Sequence, residues 1–302
     1  LFMLKNIIRA TSQALFIIFT VSSLSGCFLD DSITPTPFYS VDCSSSATYT
    51  PANVPIITLS TGGAATTSVI VMHGKTGSPL SEHLLPLYTD LSNAGFDVIA
   101  PYMPWSGLDW DGSMCEAMNY INSYAAQEAD KGNSVIVTGH SMGGAHALIY
   151  GVTTTLTEEV DAIIAMAPGH FPHLSSLMQD VTAPSIALAE SMVESGNGDS
   201  LSTFDILLTD ATIQITASAN DYLSYHALDQ YPDINDVLPS ITVPVLWLAG
   251  DSDPLTTSIN MEELSSKIVS QNSDFVLVSG DHKTMVSSSG APIGAWLSSL
   301  SL

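Results

Sequence analysis

The sequence predicts an α/β protein: a mostly parallel central sheet, helices on both faces, and a helical insertion in the second half of the chain. Three observations carry this expectation. Short β-branched runs bounded by turn residues recur along the 302 residues. These runs are apolar throughout rather than alternating, as strands buried on both faces must be. Segments with helical spacing lie between them, and alternation of that kind builds a parallel sheet through crossover connections.

In chain order the expected strands are 68–72, 97–100, 134–138, 162–166, 244–248 and 274–278. The longer segments 79–94, 113–131, 142–153, 256–271 and 284–300 carry helical spacing. One interval breaks the rhythm. More than seventy residues separate the strand ending at Met166 from the one starting at Pro244. They hold helix-like stretches at 185–194 and 202–208, and nothing strand-like until Ile213-Gln214-Ile215. A structureless loop of that length is implausible. The segment at about 171–240 therefore reads as a helical insertion over the sheet edge, where lids sit.

Charge narrows the partners. Six Lys+Arg stand against 30 Asp+Glu, a formal net charge of −24. Phosphate binding needs a basic face, so nucleic acid is excluded as a partner. Such an excess of acid suits a salty or extracellular setting that screens repulsion. The N-terminus points the same way. Lys5 and Arg9 precede the apolar run 14–21, which weakens into Leu24-Ser25-Gly26-Cys27. A basic start, a short apolar stretch and small residues form a secretory signal over 1–26. Leu24-Ser25-Gly26-Cys27 also resembles the bacterial lipobox, in which the cysteine is lipidated. Cys27 is then the membrane anchor, and Phe28 after it, in place of Asp, suggests the outer membrane. Residues 27–52, rich in Ser, Thr and Pro, read as a tether, and 53–302 as the folded domain. With Cys27 carrying lipid, Cys43 and Cys115 form an even pair in an oxidising compartment; a disulfide and two separate buried thiols are both open.

The chemistry concentrates at the ends of the expected strands. Gly139-His140-Ser141-Met142-Gly143-Gly144 follows the 134–138 run and opens a helical segment. A sharp strand-to-helix turn there lifts the Ser141 hydroxyl above the sheet, and the helix N-terminus aims N–H groups at a developing oxyanion. A serine hydroxyl needs a base. His282, in Ser279-Gly280-Asp281-His282-Lys283 after the last strand, falls on the same edge. Asp251 and Asp253 stand just beyond the 244–248 strand.

These motifs resemble the α/β-hydrolase superfamily. The likeness covers about 69–296 and rests on His73-Gly74, the 139–144 turn, Gly250-Asp251-Ser252-Asp253 and Gly280-Asp281-His282, all in family order. The resemblance implies Ser141 as nucleophile, His282 as base and Asp253 as acid, with Asp251 the alternative and Asp281 a third. It implies an oxyanion hole of the Met142 and Lys75 N–H groups. His73, Gly74, His140 and His170 are expected to line the substrate pocket. The function implied is serine hydrolysis of a small acyl or ester substrate through an acyl-enzyme, with no cofactor and no metal. A serine peptidase or amidase uses the same triad, and a non-catalytic surface lipoprotein could keep the fold. Oligomeric state is not readable. Two further expectations concern basic and histidine residues. Lys75 and Lys283 flank the site; either they offset the acidic field, so that an acyl group bearing negative charge is tolerated or preferred, or they are two solvated lysines. His170-Phe171-Pro172-His173 is a weak metal pattern without a nearby Cys or carboxylate.

Overall fold

The computed structural model describes residues 39–51, 56–60, 66–153, 160–209, 211–300 and 302. The expected signal, Cys27 and the start of the tether lie outside the described residues. No helix among the described residues is long and apolar enough to cross a membrane.

A seven-stranded sheet organises the chain. Its strands are β1 (Ile57–Leu59), β2 (Thr67–Met72), β3 (Asp97–Ala100), β4 (Ser134–His140), β5 (Ala162–Met166), β8 (Val245–Gly250) and β9 (Asp274–Val278). They lie in the order β1-β3-β2-β4-β5-β8-β9. β1 is antiparallel to β3, and the other pairs are parallel. Alternate residues of the central strands enter two different cores. Ile70, Val135, Val137, Ile163 and Trp247 face α2 (Met114–Ala129), α3 (Met142–Tyr150) and the insertion. Val69, Val71, Ile136, Ile164 and Leu246 face α1 (Leu85–Asn93) and α9 (Gly290–Ser299). This two-sided burial is the physical reason that the strands read as unbroken apolar runs.

The helices differ from expectation at their ends. α1 begins at Leu85, six residues later than expected, because turns fill the stretch after Pro79. α2 starts at a capping box in which Ser113 Oγ accepts from Glu116 N–H and the Glu116 carboxylate accepts from Ser113 N–H. The expected helix at 256–271 divides at Asn260, which is left-handed (φ 49), into α7 (Pro254–Ser258) and α8 (Met261–Ser265).

The insertion between β5 and β8 is only partly helical. It holds α4 (Ser176–Glu194), a hairpin of β6 (Leu201–Leu207) and β7 (Thr212–Ser218), α5 (Ala219–His226) and the short α6 (Ile234–Val237). The 202–208 stretch, read above as helix, is a strand. Phe204 and Ile206 are buried while their neighbours are not, a period of two that a helix cannot produce. α4 starts nine residues before 185, because Pro184 inside the helix masked its first half.

Part of the expected tether is also docked. Cys43 and Cys115 are joined by a disulfide. Around it, Val41 N–H donates to Val152 O, Tyr49 N–H donates to Glu116 O, and Asn119 Nδ2 donates to Cys43 O and Ser46 O. Val41 and Tyr49 are buried. Residues 39–51 therefore form part of the body, their apolar side chains and the disulfide outweighing a polar composition.

Candidate active site

β4 runs through Gly139 and His140, which pair with Ala165 and Met166 of β5. The chain then enters α3 at once, and Ser141 takes the whole reversal, with φ 56 and ψ −119. Only glycines permit this turn. A Cβ on Gly139 would overlap the Gly143 carbonyl, and one on Gly143 would stand 2.5 Å from Met72 O. The Ser141 N–H donates to Met166 O and the Gly169 N–H donates to Ser141 O, each at 3.0 Å. Thr76, Ala167 and His170 also have positive φ, of 55, 41 and 73. Backbone strain thus gathers in the three loops that meet at Ser141, where surrounding structure must hold it.

The loops after β8 and β9 bring two side chains to this serine. His282 Nε2 lies 2.9 Å from Ser141 Oγ, and His282 Nδ1 lies 2.7 Å from Asp253 Oδ2. The carboxylate accepts from Nδ1–H, which leaves Nε2 bare to accept the serine proton. Asp253 is fully buried at its side chain and His282 is 13% exposed. Asp253 Oδ1 also accepts from Leu255 N–H at the start of α7. Asp251 serves a different purpose: its Oδ1 accepts from Gly280 N–H, tying the β8 loop to the β9 loop. Asp281 Oδ1 accepts from Thr284 and Lys283 N–H within its own turn.

The Met142 N–H sits at the first position of α3, where helix geometry leaves it without an intrahelical acceptor. Lys75 follows Gly74, whose added Cβ would stand 3.1 Å from Ser141 Cβ, so the Lys75 loop abuts Ser141. The Lys75 side chain turns away from the surface. Its Nζ donates to Leu207 O at the end of β6, and burial pulls its pKa down to about 7. It therefore fastens the insertion to this loop, and does not serve with exposed Lys283 as a charge at the site mouth.

His73 does not line a pocket. It is fully buried, its Nε2 accepts from Met103 N–H and lies 2.8 Å from Ser106 Oγ, and its carbonyl accepts from Trp105 Nε1–H. It shapes the loop after β3. His140 is buried as well and donates Nε2–H to the His282 carbonyl at 2.6 Å. His170 donates Nε2–H to Tyr225 O of α5, and His173 donates Nε2–H to Tyr231 O. Both bonds hold the insertion. Among the described residues no cluster of His, Cys, Asp and Glu could hold a metal ion.

His83, which no sequence signal marks, places its Nε2 3.3 Å from His140 Nδ1. It precedes α1 in a turn with no motif around it. Also unforeseen is the packing of His146, His170 and His226 with Trp105, Tyr225 and Tyr231 at the insertion. No spacing rule joins residues from α3, the β5 loop and α5.

The sheet order, the strained serine elbow and the loops that meet it define an α/β hydrolase. The sequence model of the family described as "Serine aminopeptidase, S33" matches residues 113–285, more than half of the chain, and the chain belongs to that family. No curated protein matches it. Among solved structures it is similar to a monoacylglycerol lipase of Paleococcus ferrophilus, at 20% identity and a TM-score of 0.59, covering 82% of this chain and all of that one. MenH from S. aureus follows, with 16% identity, a TM-score of 0.58 and coverage of 82% and 99%. Est1E from Butyrivibrio proteoclasticus has 15% identity, a TM-score of 0.55 and coverage of 81% and 92%. At these identities the likeness is one of fold.

Proposed function

We propose that this hydrolase cleaves carboxylic esters through Ser141, His282 and Asp253. The observation that carries the reading is the continuous line of hydrogen bonds, 2.9 Å and then 2.7 Å, from the serine hydroxyl to a buried carboxylate. Ser141 Oγ attacks the ester carbonyl as its proton passes to His282 Nε2. Asp253 holds the imidazole tautomer and stabilises the imidazolium. The N–H groups of Met142 and Lys75 receive the oxyanion. His282 returns the proton to the leaving alcohol, and a water activated by the same imidazole releases the acid. The insertion acts as a lid, tied at Lys75 and His170 to the loops around Ser141. Export by the 1–26 signal and lipid on Cys27 would place the enzyme on the cell envelope, at the outer membrane.

The family's description raises aminopeptidase action as a second reading. Gripping a peptide's ammonium terminus needs a free carboxylate close to the nucleophile. Among the described residues, Asp251 and Asp281 beside the triad are held by main-chain N–H groups, which favours the ester. The test is labelling by a fluorophosphonate, alongside hydrolysis of 4-nitrophenyl butyrate and an aminoacyl 4-nitroanilide. Labelling and ester turnover should both disappear in Ser141→Ala and fall at least ~10³-fold in His282→Ala. Faster anilide cleavage would move the assignment to the peptidase, and a folded protein that does not label would be a binding protein of hydrolase fold.

A further inference from the structure

We infer that His140 and His83 are positioning residues for the base, forming a second tautomer-locked pair behind the first; the inference rests on the triad reading above. The His140 main chain is fixed by its pairing with Met166 and leads directly into Ser141. Its side chain reaches the carbonyl of His282 at 2.6 Å. A closed circuit results: Ser141 Oγ to His282 Nε2, along His282 to its carbonyl, across to the His140 ring, and back through one peptide bond to Ser141. The elbow and the base loop therefore cannot shift independently while that bond stands.

The bond makes a demand on protonation. A carbonyl only accepts, so His140 must carry its proton on Nε2. Neutral imidazole then has a bare Nδ1, and His83 Nε2–H supplies that nitrogen with a donor at 3.3 Å. His83 does for His140 what Asp253 does for His282: it selects the useful tautomer. The difference lies in charge. Asp253 is an anion and favours the imidazolium on His282. His83 is neutral, and burial together with the neighbouring Lys283 and His282 drives its pKa down to about 4. Burial likewise keeps His140 neutral. The ring centroids of His140 and His282 are 4.9 Å apart, so a charged His140 would oppose the imidazolium that the reaction needs. A neutral donor behind a neutral spacer fixes the loop without that penalty.

Half-buried His83 tolerates substitution better than His140, so the test centres on it. His83→Phe removes the donor, and His83→Gln keeps an N–H of similar reach. With 4-nitrophenyl butyrate, His83→Phe should lower kcat ~10-fold with KM within about twofold, because a small misplacement of the base costs that much. His83→Gln should recover most of the loss, and the fluorophosphonate inactivation rate should follow kcat. In ¹⁵N-histidine spectra, His140 should show the Nε2–H tautomer in the wild type and His83→Gln, and a mixture in His83→Phe. A kcat in His83→Phe within twofold of wild type, a rise in KM alone, or an unchanged His140 tautomer would overturn the inference. A wild-type protein that neither hydrolyses nor labels would instead defeat the esterase reading, and the tautomer spectra would still decide whether His83 locks His140.

Discussion

Two groups of histidine lie within the same fold and do opposite things. His282 sits on the β9 loop, 13% exposed, with a carboxylate at 2.7 Å on one nitrogen and a hydroxyl at 2.9 Å on the other. His146 and His170 lie against the insertion and His226 within it, fully or almost fully buried. Each of these donates one N–H to a backbone carbonyl. The other nitrogen, His146 Nε2, His170 Nδ1 or His226 Nε2, has no protein partner among the described residues. Burial drives the pKa of His146 to about 4 and of His226 to about 3, and that of His170 well down. Lacking an anion, these rings stay neutral and act as polar packing. On the proposed mechanism, what separates a base from a core residue is the carboxylate behind it.

The largest expected effect comes from removing that difference. Asp253→Asn leaves the shape but offers an amide that can donate to Nδ1 and turn the imidazole the wrong way, so kcat should fall by ~10³–10⁴-fold. Asp251→Asn, two residues away, touches the Gly280 N–H and the Ser252 hydroxyl and no side chain of the proposed triad. It should keep kcat within about threefold and lower Tm by about 2–4 °C, the effect of one hydrogen bond. Steady-state kinetics and thermal melts of the two variants measure the contrast. Equal losses of kcat would mean that the loop, rather than the carboxylate, makes His282 a base.

Sequence alone could reach the first group and not the second. Ser141, Asp253 and His282 follow strand ends, and strand ends are legible because buried parallel strands are unbroken apolar runs. The choice between Asp251 and Asp253 was open in the sequence because both flank one turn. Only the side-chain directions separate them. The histidines at the insertion meet through tertiary packing of three elements, and no local pattern encodes that meeting. β6 was read as helix for a related reason: Leu201, Phe204 and Leu208 also recur at helical spacing, and a period of two over so short a stretch is weak. The packing of 39–51 was hidden too, because a composition suited to a tether says nothing about one disulfide and two buried side chains.

A second contrast appears on the acid side. Each buried imidazole has a folded pKa below the ordinary 6.5 of the unfolded chain, so the unfolded state takes up protons first as pH falls. Their stabilising share is complete above pH 6.5 and is lost on the way down towards 4. His146→Phe removes one such group. Urea midpoints measured between pH 6.5 and 4.5 should therefore fall less steeply in the variant, by up to one proton or about 1.4 kcal/mol per pH unit. Parallel profiles would show that His146 is charged or hydrated in the folded protein, and would weaken the division between the two groups.

Lys75 tests the same division from the alkaline side, with a smaller effect because its residue keeps some exposed surface. Its ammonium lies among His146, His170 and His226, and burial lowers its pKa from 10.5 to about 7. Between those values the unfolded chain holds a proton that the folded chain has released, so stability rises with pH through this window; it is lost as pH falls through 7. The neutral amine still donates to Leu207 O, so the tie to β6 survives deprotonation. Wild type should therefore gain on Lys75→Met between pH 7.5 and 9.5 when their Tm values are compared. If wild type instead loses ground over that range, the ammonium is stabilised by a negative partner. The packing around Lys75 would then resemble the Asp253 side of the molecule rather than its opposite.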